Sequence, residues 1–93
     1  MPTLKIPTPL RPYTDGQSEV KVSGTNVEAA MRNLVDKYPA LEQHLFADGE
    51  MRAFVNLFLG ENNIKDLQGV ETPLEEESTL RIIPSIAGGQ YVL

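Results

Sequence analysis

Two short segments near the start of the chain alternate apolar and polar residues with a period of two, which is typical of half-buried β-strands. The first is Leu4-Lys5-Ile6 and the second is Glu19-Val20-Lys21-Val22. The residues between them, 7–17, are rich in proline and end near the turn-forming pair Asp15-Gly16. Because the connection is so short, the two strands are predicted to form an antiparallel pair.

A helix is predicted after the second strand. Thr25 and Glu28 have the spacing of a capping box, and Pro39 ends the helix because proline lacks a backbone N–H donor. A shorter helical piece is expected from Ala40 to Phe46, after which Asp48-Gly49 turns the chain back. Five apolar residues fall on one face of the main helix: Val27, Met31, Leu34, Val35 and Tyr38.

The strongest strand signal lies in residues 52–59. Residues 60–63 read as a turn, and Ile64-Lys65 as a brief edge strand. Residues 69–77 connect to a last strand at 78–83, and Pro84 begins the exit from it. The sequence therefore predicts one domain over residues 1–84 and a flexible C-terminal tail over residues 85–93.

The order strand, strand, helix, strand, short strand, strand predicts an α+β protein with the β-grasp fold, a mixed sheet that wraps one main helix. This fold places the first and last strands side by side, in parallel, at the centre of the sheet. A ferredoxin-like fold is the alternative, but Gly69 and Pro73 interrupt the place where its second helix would lie. The expected core comprises Val55, Leu57, Leu80, Ile82, Met31, Leu34 and Val35.

The same alternation directs Phe54, Phe58 and Ile83 to the opposite side of the sheet, together with Arg81. One helix cannot cover both sides, so this side is expected to stay open. Burying a side chain of this kind is worth about 1.5–3 kcal/mol, and exposed aromatic residues therefore predict a surface that docks onto a partner. The alternative is that Leu10 or Tyr13 folds over them.

Composition narrows the classes of function. The 93 residues suit one domain with a modest core, and no apolar run reaches membrane-spanning length. The net charge of −5 argues against nucleic acid or an anionic membrane as the main partner. The chain has no cysteine, which excludes disulfides, a thiol nucleophile and thiolate metal ligands.

No constellation in the sequence predicts an active site. The only histidine, His44, has no serine in its own segment and is expected to be a solvated helix residue. One histidine without cysteine cannot supply the usual zinc ligand sets, so no metal site is predicted. The acidic run at residues 75–77 reads as solvated surface or as a contact for a basic partner. The chain is therefore predicted not to be an enzyme.

Three segments carry a resemblance to a known family. They are the stretch 83–89 with its Gly88-Gly89 pair, the strand residues Phe54-Val55-Asn56, and an early segment with Ile6-Pro7-Thr8, Leu10-Arg11-Pro12 and Gly16-Gln17. Together they resemble the MoaD/ThiS family of ubiquitin-like sulfur carrier proteins. Within that family the chain looks most like the CysO-type carriers of cysteine biosynthesis. The resemblance spans nearly the whole chain up to Gly89.

The resemblance implies a cytoplasmic, monomeric carrier without a bound cofactor. A ubiquitin-activating-type adenylyltransferase/sulfurtransferase would use ATP to adenylate the Gly89 carboxylate and convert it to a thiocarboxylate. Gly88 and Ala87 would thread the tail into that enzyme, and Phe54, Phe58, Ile83 and Arg81 would form the docking surface. A sulfur-accepting synthase would then receive the sulfur.

This chain departs from the family pattern after Gly89, where Gln90, Tyr91, Val92 and Leu93 follow. Four extended residues span about 13–14 Å, which would hold the terminal carboxylate that far from the nucleotide. The resemblance implies removal by a JAMM-type zinc metalloprotease. The alternatives are a molybdopterin synthase small subunit, a protein modifier joined through Gly89 to lysines, and a plain interaction domain that keeps the extension.

Overall fold

The computed structural model describes residues 1–52 and 55–84, and of Pro84 only the backbone. Within those residues the chain forms two α-helices, seven strands and four short 3-10 segments. The helices are α1 (Val27–Lys37) and α2 (Glu42–Leu45). The strands are β1 (Thr3–Lys5), β2 (Glu19–Lys21), β3 (Phe46–Ala47), β4 (Glu50–Met51), β5 (Val55–Leu59), β6 (Asn62–Asn63) and β7 (Thr79–Pro84).

The main sheet has five strands in the order β2-β1-β7-β5-β6. Strands β1 and β7 lie side by side in parallel, and the other neighbouring pairs are antiparallel. The first and last strands therefore occupy the positions that the β-grasp prediction requires, and that prediction is confirmed. The antiparallel pairing of β1 with β2 is confirmed as well.

The start of α1 differs from the sequence prediction. Asn26, not Thr25, is the N-cap residue, and its side-chain oxygen accepts a hydrogen bond from the backbone N–H of Ala29 at 2.8 Å. Thr25 is exposed, and its carbonyl instead accepts from Leu74 N. The predicted capping box of Thr25 and Glu28 is thus wrong, because Asn26 caps the helix one residue later and accepts from Ala29 N, not from the Glu28 N that a Thr25 cap would serve.

Gly24 allows α1 to pack closely against the chain that leaves β2. Its φ of +157° is rare for residues with a side chain, and a Cβ there would lie 2.5 Å from the backbone nitrogen of Ala30. Only glycine fits this approach without displacing the helix. The helix then runs to Lys37, and the predicted end before Pro39 is confirmed.

Of the strand predicted over residues 52–59, Arg52 lies outside any strand, residues 53–54 lie outside the described residues, and 55–59 are strand. Residues 46–51, which precede this strand, form a separate hairpin in which Phe46 is paired to Met51. Asp48 and Gly49 both have positive φ, as a two-residue hairpin turn of type I′ requires. Among the described residues, strand β5 comprises Val55–Leu59. The expected helical piece before the hairpin consists of a 3-10 turn at Pro39–Leu41 followed by α2.

The edge strand lies two residues earlier than predicted. Gly60 and Glu61 make the turn, Asn62–Asn63 pair with β5, and Ile64–Asp66 form a 3-10 turn. The side chain of Asn63 accepts a hydrogen bond from Lys65 N, so it starts that turn as a cap. Ile64 is consequently buried at the start of a turn and is not part of the edge strand.

The core lies between one face of the sheet and α1. On the inner face of the sheet, register pairs between neighbouring strands form one row of four residues: Val20, Leu4, Leu80 and Leu59. Of the seven predicted core residues, Val35 is the exception: it is partly buried and packs against the core from its edge. The other six are buried, with Val55, Leu57, Leu80, Ile82, Met31 and Leu34 all 0–2% exposed. No helix within residues 1–52 and 55–84 is long and apolar enough to cross a membrane.

Candidate functional site

The outer side of the sheet carries the described part of the predicted docking surface. Asn56 and Phe58 point outward from β5, and Arg81 and Ile83 point outward from β7, because their neighbours Leu57 and Ile82 are buried. The antiparallel register pairs Phe58 with Arg81 and Asn56 with Ile83. The four side chains therefore form one compact patch, which we call the outer face.

Arg81 and Phe58 form an ordered pair on the outer face. The Arg81 guanidinium carbon lies 5.6 Å from the centre of the Phe58 ring, within the range of a cation–π interaction. One guanidinium nitrogen also donates a long hydrogen bond of 3.4 Å to the carbonyl of Gly60. These contacts hold the guanidinium over the ring, and its other N–H donors stay available for a partner's acceptor groups.

The remaining two positions differ in polarity. Ile83 is 40% exposed, which is unusual for a large aliphatic side chain in a strand. Asn56 lies beside it in register and accepts a long hydrogen bond of 3.4 Å from the side-chain amide of Asn63. Apolar surface thus remains open to solvent between polar neighbours that are themselves bonded, an arrangement typical of a protein-docking patch.

A charged pair continues the outer face toward the other edge of the sheet. Lys5 on β1 is the register partner of both Arg81 on β7 and Glu19 on β2. The Lys5 ammonium lies 3.9 Å from a carboxylate oxygen of Glu19. Sequence reasoning did not assign Lys5 to the site, because the order of strands predicts that β1 pairs with β7 but not the register that brings Lys5 beside Arg81.

The structure shows where some residues of the predicted site lie, and their docking role stays a prediction. It brings Phe58, Arg81 and Ile83 together, while Phe54 lies outside the described residues. The tail positions lie outside them too, so their roles stay predictions: Ala87, Gly88, Gly89, Gln90, Tyr91, Val92 and Leu93.

Leu10 and Tyr13, the residues considered as covers for this patch, have other contacts. Leu10 is buried in the core cluster, and the Tyr13 ring lies 4.4 Å from the ring of His44. The same contact corrects the prediction for His44. Its ring is half-buried, and its Nε2 is shielded from solvent without a hydrogen-bond partner among the described residues. The ring packs against tyrosine because the 3-10 segment Thr8–Thr14 folds back near α2.

A concave region of about 330 Å³ lies elsewhere, between α1 and the hairpin of β3 and β4. Arg32 crosses it, held by Glu28 at 3.6 Å, by the Phe46 ring at 4.8 Å and by the carbonyl of Gly49. The Arg32 guanidinium is therefore already bonded to groups of the folded domain. Residues 1–52 and 55–84 also contain no cluster of three or more His, Cys, Asp or Glu side chains that could hold a metal ion.

A mixed sheet with parallel central strands wrapped on one helix, and an open outer face, defines a ubiquitin-like β-grasp protein. Comparison with known proteins identifies the family: the model of the ThiS family matches residues 4–89. The chain belongs to the ThiS family of ubiquitin-like sulfur carriers. Residues 90–93 follow the matched region.

Individual relatives cover nearly the whole chain. The sulfur carrier protein CysO of Mycobacterium tuberculosis is 31% identical over 90 residues, which are 94% of this chain and 97% of that protein. A chain in the Amycolatopsis orientalis BexX/CysO complex superposes with a TM-score of 0.86 at 26% identity, covering 96% of this chain and all of that one. The small archaeal modifier protein 1 of Methanosarcina acetivorans superposes with a TM-score of 0.85 at 32% identity, covering 95% of each chain.

Proposed function

We propose that this protein carries sulfur as a thiocarboxylate on Gly89 and delivers it to the biosynthesis of cysteine or a related thio-metabolite. The observation that carries the proposal is the extent of the family match, which runs from the first strand to Gly89 and so takes in the glycine pair. The similarity to mycobacterial CysO over 94% of the chain supports the carrier role and the choice of pathway.

The chemistry proceeds on a partner enzyme. The Gly89 carboxylate attacks the α-phosphorus of ATP, pyrophosphate leaves, and an acyl-adenylate forms. A sulfide equivalent then attacks the acyl carbon and AMP leaves, so that one oxygen of the former carboxylate is replaced by sulfur. The product is anionic and polarisable, and it is a far better nucleophile than the carboxylate it replaces.

The residues after Gly89 make the 93-residue chain a precursor. While Gln90 follows, the Gly89 acyl carbon belongs to a peptide bond and has no free carboxylate to adenylate. Hydrolysis of the Gly89–Gln90 bond releases residues 90–93 and creates that carboxylate. A JAMM-type zinc metalloprotease, which supplies metal-activated water, is the class of enzyme suited to this step.

In this proposal the folded domain is a handle for partner enzymes and supplies no catalytic group or cofactor of its own. The outer face docks onto the adenylating enzyme through Phe58, Ile83 and Arg81, joined by Phe54. Gly88 and Ala87, which carry no side chain or a single methyl group, allow the tail to pass through a narrow slot to the nucleotide. A sulfur-accepting synthase binds the loaded carrier afterwards.

The test is the intact mass of the protein purified from its native host. The proposal expects a species that ends at Gly89, together with a fraction heavier by the difference between one sulfur and one oxygen atom. Brief alkylation with iodoacetamide should shift that heavier fraction alone, because the chain has no cysteine and the thiocarboxylate sulfur reacts much faster than its amines. A population that retains residues 90–93 throughout growth would overturn the proposal and favour a plain interaction domain.

A second function is favoured by one observation, the similarity to a small archaeal modifier protein at a TM-score of 0.85. A modifier would join Gly89 to lysine side chains of other proteins through an isopeptide bond. The same purification separates the two functions. Conjugates of higher mass in which trypsin leaves residues 82–89 attached to a lysine, since Arg81 is the last tryptic site before Gly89, indicate a modifier, whereas a free thiocarboxylate indicates a carrier.

A further inference from the structure

The outer side of the sheet is basic, although the protein as a whole is acidic. Alternation along the strands directs Lys5, Lys21 and Arg81 to this side, because Leu4, Val20 and Leu80 between them are buried. The same alternation directs one carboxylate, that of Glu19, to the outer side of the sheet. The strands thus place three of the eight cations and one of the thirteen acidic side chains on this side of a chain whose net charge is −5. The acidic residues are concentrated on the remainder of the molecule.

The charges adjoin the apolar part of the outer face. Register pairs connect five strands in one row: Glu19, Lys5, Arg81, Phe58 and Asn63. Lys5 and Arg81 are adjacent cations in the middle of this row, and one carboxylate, Glu19, lies 3.9 Å from Lys5. Two neighbouring cations with a single nearby acid leave local positive charge that a partner can neutralise.

We propose that the outer face docks onto an acidic patch of the adenylating enzyme, with carboxylates facing Lys5 and Arg81 beside an apolar pocket that receives Phe58 and Ile83. This inference rests on the proposed function, since it names the chemistry of the partner at the same site. Arg81 joins the two halves of the contact because its guanidinium lies over the Phe58 ring while its free N–H groups reach toward solvent.

Charge complementarity of this kind acts mainly on the rate of association. Opposite potentials steer two proteins into the productive orientation and raise the association rate at low salt, and added salt screens the effect within about 10 Å at 0.1 M. A protein whose net charge is negative would otherwise be repelled by an acidic enzyme surface. The basic side of the sheet therefore also determines which side of the carrier approaches first.

The experiment measures association kinetics of the full 93-residue protein with the adenylating enzyme of its own host, over a range of salt concentrations. The double variant Lys5→Gln/Arg81→Gln removes two charges from the outer face. The matched control, Lys37→Gln/Lys65→Gln, removes two charges from other surfaces. A third variant, Lys5→Arg/Arg81→Lys, retains the charge. Circular dichroism melts verify that each variant is folded.

We expect the outer-face variant to associate at least about tenfold more slowly at low salt, with a flattened salt dependence. The control and the charge-retaining variant should stay within about twofold of the unmodified chain. Equal slowing of the outer-face variant and the control would overturn the inference, since net charge alone would then account for the effect. A salt-independent association rate for the unmodified chain would also overturn the inference. If Phe58→Ala nevertheless abolished tight binding, the proposed function would still stand. If the enzyme binds none of the proteins and pyrophosphate exchange with the 89-residue form is absent, the proposed function itself fails.

Discussion

Adjacent residues of one strand have opposite roles in this molecule. Leu57 is fully buried and packs in the core, whereas Phe58 is half-buried on the outer face beside Arg81. The difference arises because successive side chains of a strand point to opposite sides of the sheet. Substitutions at these two positions should therefore affect different properties, one the stability of the domain and the other its binding.

Replacing Leu57 by alanine should lower the free energy of unfolding by about 2–5 kcal/mol, because it removes buried methyl groups and leaves a cavity. Val35→Ala should cost less, since Val35 is only partly buried at the edge of the core. Urea denaturation followed by circular dichroism measures both values. Equal stability of the Leu57 variant and the unmodified protein would show that the assignment of the inner face is wrong.

Replacing Phe58 by alanine should weaken binding to the adenylating enzyme by about 2 kcal/mol, as truncation of an aromatic anchor often does. Leu67→Ala provides the control, because Leu67 is 43% exposed but lies in the connection before β7. Titration calorimetry gives the affinities and a thermal melt checks the fold. If Phe58→Ala unfolds the domain while the folded fraction binds normally, Phe58 is a core residue and has no docking role.

At the scale of elements, local hydrogen bonds decide where each helix and strand begins. Helix α1 starts after Asn26 because that side chain caps Ala29 N, and β6 is limited to two residues because the Asn63 side chain starts a 3-10 turn. Sequence pattern located both elements but displaced their ends by one or two residues. Thr25 and Asn26 are both good caps by type, and their backbone environment selects between them.

Replacing Asn26 by alanine should destabilise the domain by about 1 kcal/mol through loss of the helix cap. Thr25→Ala is the matched control and should stay within about 0.5 kcal/mol of the unmodified protein, as exposed substitutions usually do. Denaturant melts at one protein concentration compare the two variants. A larger loss for Thr25→Ala than for Asn26→Ala would restore the capping box expected from the sequence.

At the scale of the whole molecule, the domain and the segment after it have separate tasks in the proposed function. The domain presents the outer face, and the Gly88-Gly89 pair presents the reacting carboxylate. Neither can substitute for the other, since docking without a free carboxylate gives no acyl-adenylate. The protein should therefore respond to changes after Gly89 in an all-or-none manner.

Deleting residues 90–93 should create ATP-dependent adenylation where the 93-residue chain shows none, because the deletion converts an amide to a free carboxylate. Pyrophosphate exchange with the host's adenylating enzyme measures this for both forms. In the 89-residue form, Gly89→Ala should slow the exchange by placing a methyl group beside the reacting carbon. Equal exchange by the 93-residue and 89-residue proteins would contradict the precursor model.

The sequence by itself determined which residues face inward and the order of the elements, because both depend on local periodicity that neighbouring residues reveal. Val55, Leu57, Leu80 and Ile82 were identified as core in this way, and so was the β-grasp order. The sequence also predicted that the first and last strands pair in parallel, but the register of that pairing and the contacts of the loops were decided by the tertiary structure. Lys5 lies beside Arg81 because of the register in which β1 pairs with β7, and the half-buried His44 ring contacts Tyr13 from the loop after β1. Contacts of this kind depend on packing free energy summed over the whole core, and no local pattern of residues contains that information.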